Sequence, residues 1–183
     1  MVLMTSVSFY TITAYTPTFG KEILRLTQSD ALLVTLCVGL SNLLWLPVMG
    51  SVSDRIGRRP VLIAFATMAV LTAYPAMLWL VTAPSFNKLL CVELWLSILF
   101  AGYNGAMVVY LTEIVPVAVR TAGFSVAYSL ATTIGGSTPA IVTFLIHATG
   151  NRAAPGAWLS VAAAVALLAI LIGGEQVRAG TRA

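Results

Sequence analysis

The stretch Gly50-Ser51-Val52-Ser53-Asp54-Arg55-Ile56-Gly57-Arg58-Arg59-Pro60 lies between two long apolar runs and holds four of the chain's sixteen charged side chains. Asp54 can accept hydrogen bonds from open helix N-termini, where the partial positive charge favours a carboxylate. Gly57 permits a tight turn, and Pro60 suits the first turn of a following helix. Arg55, Arg58 and Arg59 would sit just outside hydrocarbon, where basic loops mark the cytoplasmic side of a membrane. Residues 50–60 therefore read as a short cytoplasmic loop between two membrane spans.

Composition supports a membrane setting. The chain is 59% hydrophobic and only 9% charged, whereas soluble domains carry roughly 25% charged residues. Its formal net charge is +4, but the basic residues are spread over loops instead of being gathered on one face. That distribution fits membrane topology and makes nucleic acid a poor partner. Cys37 and Cys91 fall inside apolar runs with no C-x-x-C, and His147 has no second histidine to join it. The thiols read as small buried hydrophobes. No metal, cofactor or catalytic residue is expected, and an enzyme is not.

Six hydrophobic spans can be read, each near the roughly 20 residues a helix needs to cross hydrocarbon. They run approximately 1–19, 31–52, 61–82, 89–112, 121–147 and 158–173, leaving 174–183 as a cytoplasmic tail. The expected fold is an all-α membrane protein, a single six-helix transmembrane bundle over 1–183. With 50–60 inside, the cytoplasmic side carries Arg55, Arg58, Arg59, Arg120, Arg178 and Arg182. The opposite side carries Lys21, Arg25, Lys88 and Arg152, and both termini then face the cytoplasm. The sequence begins inside an apolar run without the basic flank of a signal peptide. It reads as though something upstream is missing.

Polar residues inside these spans mark the candidate site. Span one carries Ser8, Thr11 and Tyr15 on one stripe, with Tyr10 and Thr13 to the other side, and closes at Pro17 and Gly20. Such side chains face a bundle interior or a water-filled cavity, or glue helices together and bond back to their own backbone. Span two holds Ser41-Asn42 and then Pro47, and span three holds Tyr74-Pro75. Each proline should kink its helix. In span four, Ala101/Gly105 and Gly102/Ala106 let a neighbour approach closely. Asn104 must point at a partner helix or a cavity. Glu93, near the outer end, reads as an interfacial carboxylate rather than a proton carrier.

Span five has a small-residue seam, Gly123, Ala127, Ala131 and Gly135, and a polar stripe, Ser125, Ser129, Thr132 and Gly136, on roughly the opposite side. With no greasy face over much of its length it reads as a central helix, bent near Gly135-Gly136 and Pro139. The cavity-facing candidates are Tyr10, Thr11, Tyr15, Tyr103, Asn104 and Ser129.

The spacing G-x-x-x-D-R-x-G-R-R-P between two spans resembles the loop signature of the major facilitator superfamily. The run Thr112-Glu113-Ile114-Val115-Pro116-Val117-Ala118-Val119-Arg120-Thr121-Ala122-Gly123-Phe124-Ser125, then Gly135-Gly136-Ser137-Thr138-Pro139, looks like that superfamily's metabolite:proton symporters. Taken with Phe9–Thr18 and Tyr103–Met107, it is most similar to the citrate–proton symporters. The resemblance covers nearly the whole chain, yet corresponds to the C-terminal six helices of a twelve-helix transporter. First-half members usually carry an Arg and a Gln-Gly in their fourth helix, and Leu96–Gly105 has neither. One departure is Ile134, where the family commonly has Phe.

The resemblance implies a proton-coupled symporter for citrate or a related di- or tricarboxylate, in the inner membrane, working by alternating access with substrate near the midplane. It implies that Gly50, Asp54, Arg55, Gly57, Arg58 and Arg59 form a gating latch at the cytoplasmic helix ends. Glu113 and Arg120 flank the next cytoplasmic loop and are expected in the same charge network. The implied partners are a citrate-like anion, protons, the lipid bilayer and an N-terminal six-helix half. Beside this stands a reading from another class, a truncated non-transporting membrane protein or a docking partner of other membrane subunits. An intramembrane enzyme would need a cluster at depth that one His near a helix end does not supply.

Overall fold

The structure is a computed structural model that describes residues 1–115 and 119–180, with side chains described through residue 173. Pro116, Val117 and Ala118 of the family run lie outside the described residues. So does the far end of the expected 174–183 tail, with Arg182 and the side chain of Arg178.

Apolar chain can enter hydrocarbon only if its backbone satisfies itself, and a single segment does so as a helix. The described residues are helical almost throughout, with no strand. Helix α1 (Val2–Phe9) runs into a π-helical segment (Tyr10–Tyr15), the single turn α2 (Thr16–Thr18) and a second π-helical segment (Phe19–Ile23). Then follow α3 (Gln28–Ile56), α4 (Arg58–Thr82), α5 (Phe86–Ile114), α6 (Arg120–Gly136), α7 (Thr138–Thr149) and α8 (Ala154–Gly180). Five stretches, 28–56, 58–82, 86–114, 120–149 and 154–173, are long and apolar enough to cross a membrane.

Helix ends follow local chemistry. Thr27 accepts from the Asp30 amide at 3.1 Å and Ser85 from the Lys88 amide at 3.3 Å, so α3 and α5 both start on hydroxyl caps. Gly57 turns the chain between α3 and α4 with φ 101°, a region where a side chain would be strained. The fifth run breaks at Ser137, where Gly135-Gly136 and Pro139 placed a bend; Pro139 has no N–H to donate back into α6. Pro47 and Pro75, by contrast, sit inside helices that continue without interruption. In the first unit, the continuous stretch 2–23 from α1 through the second π-helical segment, Thr11 donates to the Val7 carbonyl at 2.7 Å and Thr16 to the Thr11 carbonyl, five residues back, at 3.1 Å. That five-residue spacing is the register of a π-helix, and Pro17 cannot donate a backbone hydrogen bond to restore the tighter one.

Glycines set the packing. Helix α5 is wedged between α3 and α4 by two of them. A methyl group on Gly105 would stand 3.0 Å from the Gly50 amide nitrogen, and one on Gly102 would stand 2.4 Å from the Phe65 ring. Gly156 brings α8 onto α4, 2.6 Å from the Ala73 carbonyl, and Gly135 brings α6 onto α1, 2.4 Å from Ser6 Cβ, on the same measure. Neighbours therefore run in the order α3, α5, α4, α8, α1, α6. The first unit also reaches α3, α5 and α7, which makes it the central helix.

Two expectations are corrected here. Helix α6 is not central: its seam packs on α1, while Val126 and Leu130 are 60% and 64% exposed. Val126, Leu130 and Ile134, spaced four apart and each at least 45% exposed, give it an apolar outer face. The cysteines are not core residues either, since Cys37 is half-buried and Cys91 exposed.

Candidate functional site

Four elements enclose a cavity of about 390 Å³. The first unit contributes Thr5, Ser6, Phe9 and Tyr10; α3 contributes Asn42 and Leu46; α5 contributes Phe100 and Asn104; α6 contributes Tyr128 and Thr132. Phe9 fixes one wall, edge-on to Tyr10 with ring centroids 5.6 Å apart and tilted against Phe100 at 6.0 Å. Tyr10 lies along α6 at Gly136, its ring carbon 3.6 Å from where a methyl group there would stand. The Asn42 amide is held in place by Ser97, whose hydroxyl donates to Oδ1 at 2.8 Å and lies 3.0 Å from the Ser41 hydroxyl. Asn104 Oδ1 is buried and has no hydrogen-bond partner. Every polar group in the lining is a hydroxyl or an amide, and none is charged. Such a wall can donate and accept hydrogen bonds but cannot neutralise an anion.

Of the six cavity candidates, Tyr10 and Asn104 line it. Thr11 is buried with its hydroxyl on Val7. Tyr15 is buried near Thr143, their hydroxyls 3.5 Å apart. Tyr103 is buried and donates to the Met1 carbonyl at 3.2 Å. Ser129 is on the exposed face of α6. Tyr103 precedes Asn104 by one position, about 100° around the helix, and its hydroxyl is turned to Met1 instead of the cavity. Among the polar lining residues, Thr5, Ser6, Asn42, Tyr128 and Thr132 are ones that sequence reasoning did not select. Asn42 and Thr132 were visible as polar residues in an apolar run and Tyr128 was not.

At the junction of α3 and α4, Arg58 is the hub. Its Nε donates to Glu113 Oε1 at 2.8 Å, and one terminal nitrogen pairs with Asp54 Oδ1 and reaches Ser53 Oγ at 3.3 Å. The far ends of α3 and α5 are thereby tied to the start of α4. Asp54 thus takes an arginine rather than a helix N-terminus. Arg59 reaches the Leu171 carbonyl of α8 at 3.3 Å. Arg120 is a correction, because it donates to the Val115 carbonyl at 3.3 Å instead of joining Glu113. Arg55 is exposed and has no ion pair among the described residues. Gly50 lies within α3 and serves as the surface that Gly105 packs on. On α6, Ala131 and Gly135 are buried, Ala127 half-buried and Gly123 exposed, so only the later part of the seam is packed.

Glu93 also departs from expectation. It is not interfacial but 1% exposed, buried between α5 and the first unit beside Thr16, with Oε2 unpartnered.

Comparison with known proteins adds to this geometry. The family model for the Major Facilitator Superfamily matches residues 1–181. The chain is 58% identical over 170 residues to a citrate-proton symporter of Klebsiella pneumoniae, covering 92% of this chain and 38% of the relative. It is 53% identical to a citrate-proton symporter of Salmonella typhi, covering 92% and 39%. A proline/betaine transporter of Escherichia coli K12 is 26% identical, covering 92% and 33%. The chain thus spans under two-fifths of the length of these curated relatives. No solved structure matches it. With helices apolar enough to span a bilayer and a family model matched over nearly its full length, this chain is a multi-pass membrane protein that belongs to the major facilitator superfamily.

Proposed function

We propose that this chain is the C-terminal six-helix half of a proton-coupled symporter for citrate or a related di- or tricarboxylate. The substrate crosses unchanged by alternating access, with no catalytic chemistry. The observation that carries the reading is the uncharged, hydroxyl- and amide-lined cavity between the first unit, α3, α5 and α6. A citrate-like anion offers carboxylate and hydroxyl groups that Tyr10, Asn42, Asn104 and Thr132 can hydrogen-bond. The unpartnered Asn104 oxygen suits the donor side of such a ligand. The counter-charge is assigned to an N-terminal half facing this cavity, because burying several carboxylates without cations is prohibitive. The α3–α4 junction at Gly57 is assigned in this reading to the cytoplasmic side of the inner membrane, with both termini there. Asp54, Arg58 and Glu113 act as a latch in one state of the cycle. Exposed ion pairs are individually weak, so such a latch can open and close within a transport cycle.

The experiment is citrate uptake by a transporter in which this chain forms the second half. Asn104→Leu should raise the KM for citrate roughly tenfold, the scale of a lost hydrogen bond to a charged group. Tyr103→Phe, whose hydroxyl is engaged with Met1, should leave it unchanged. Unaltered kinetics in the leucine variant would remove this cavity from the substrate path.

A further inference from the structure

We propose that Glu93 is a proton-exchange site, and that loading and unloading it switches the hydrogen bonding of Thr16 across the π-helical turn of the first unit. The proposal rests on the symport reading above and names the residue through which the proton would act.

Among the described acidic residues, Glu22, Asp54 and Glu113 are exposed, Asp30 is half-buried and Glu93 alone is buried. It lies seven residues into α5, about 10 Å from that helix's start at 1.5 Å per residue. Helix and bundle close over it: Leu89, one turn earlier on the same face, packs on Gly20, where Ala31 of α3 also meets the first unit. Glu93 occupies the next rung, opposite Thr16.

No charge meets it from any element packed on α5. Helix α3 carries Asp30, Cys37, Asp54 and Arg55, and α4 carries Arg58, Arg59 and Tyr74. The first unit carries the Met1 amino group, Tyr10, Tyr15, Lys21 and Glu22, and α6 carries Arg120 and Tyr128. Lys88, Cys91, Tyr103, Tyr110 and Glu113 share its own helix. Among the described residues none of these forms an ion pair or hydrogen bond with Glu93. Lys21 pairs instead with Glu22 at 3.7 Å, and Lys88 lies over the Trp79 ring, 4.9 Å from its centroid.

A carboxyl enclosed without a cation is held as the neutral acid. The Thr16 hydroxyl is the hydrogen-bonding group beside it. Its single hydroxyl proton goes to the Thr11 carbonyl at 3.1 Å, which leaves a lone pair free. Only the acid form of Glu93 has an O–H to place on that lone pair. When the proton leaves to water, the carboxylate needs a donor, and the nearest is the Thr16 hydroxyl. Thr16 can serve only by letting go of the Thr11 carbonyl, the contact that spans the π turn. That turn begins at Tyr10, which lines the cavity. Proton occupancy at Glu93 and the shape of the cavity wall are in this way connected through one hydroxyl.

The first test uses the purified chain in lipid vesicles and infrared spectroscopy across pH. The wild type should show a protonated-carboxyl C=O band at neutral pH. The band should disappear as the pH is raised, be absent in Glu93→Gln and return in Glu93→Asp. A wild type with no such band overturns the proposal, and this measurement decides it even if a variant fails to insert. The second test uses a transporter with this chain as second half. Glu93→Gln should keep citrate exchange but lose at least about tenfold in accumulation driven by a proton gradient, the scale of ordinary site–site coupling. Equal accumulation by variant and wild type would overturn the proposal. A wild type that exchanges and accumulates no citrate would instead count against the symport reading, with the infrared result still deciding whether Glu93 holds a proton.

Discussion

At the scale of single residues, Arg58 shows what a short motif can and cannot specify. The order of charges in 50–60 made an ion network legible, since Asp54 and Arg58 lie four apart in sequence and both must leave hydrocarbon. It could not say which carboxylate from another helix would arrive. Glu113 does, while Arg120 turns back to Val115, because that choice depends on how α5 ends. Asp54→Asn leaves Arg58 with Glu113 alone. In a full-length transporter the variant should insert normally and take up citrate more slowly, measured as initial uptake rate at equal membrane abundance. Normal uptake kinetics would count against a latch. The same contrast holds in the cavity. Tyr10 and Asn104 were readable as polar groups that cannot face lipid. The roles of Thr11, Tyr15 and Tyr103 were not, because a hydroxyl can satisfy itself on backbone or on another helix. Glu93 was misread from its nearness to a span's end, since depth along one helix says nothing about what packs over it.

At the scale of elements, the small-residue seam of α6 was legible as a packing surface, but not which positions are tight. Gly135 is the tight one. A methyl group there would meet Ser6 Cβ at 2.4 Å and the Ser6 backbone carbon at 2.9 Å, neither of which can swing away. Gly135→Ala should therefore destabilise the α1–α6 contact by about 1–3 kcal/mol, the usual cost of overpacking, read as a lower melting temperature in detergent. Ala131 lies one turn earlier, beside an open groove of about 370 Å³ walled by Met1, Val2 and Leu3. Ala131→Leu has room to fill and should be the milder change. If the leucine variant melts well below the Gly135 variant, the seam has been read in the wrong register. The break of the first helix was only half legible. Pro17 announces an interruption, but not the π-helical segment Tyr10–Tyr15, which Thr16 closes by donating to the Thr11 carbonyl five residues back.

At the scale of the whole molecule, six apolar runs and a basic loop made a helical membrane bundle legible from sequence. What composition could not reveal is which helix the bundle is built around. That place goes to the first unit, whose hydroxyls are mostly buried, rather than to α6. The outer face of α3 presents Leu32, Leu36, Leu40 and Leu43, each at least half exposed, as a lipid-facing surface would. The cavity wall, in contrast, presents hydroxyls and amides with no cation. On the proposed reading, this lining would shape and orient an anion without offsetting its charge. Helix dipoles and hydroxyls each contribute about 1 kcal/mol, too little against several buried carboxylates.

The central claim is that this chain is one half of a carrier. It is tested by reconstituting the purified chain in liposomes, alone and together with an N-terminal six-helix half, under an inward proton gradient, and following labelled citrate. The account predicts no accumulation above protein-free vesicles for the chain alone. It predicts saturable accumulation, abolished by a protonophore, for the pair. Saturable, protonophore-sensitive uptake by the chain alone would contradict it and show that the bundle is a complete carrier.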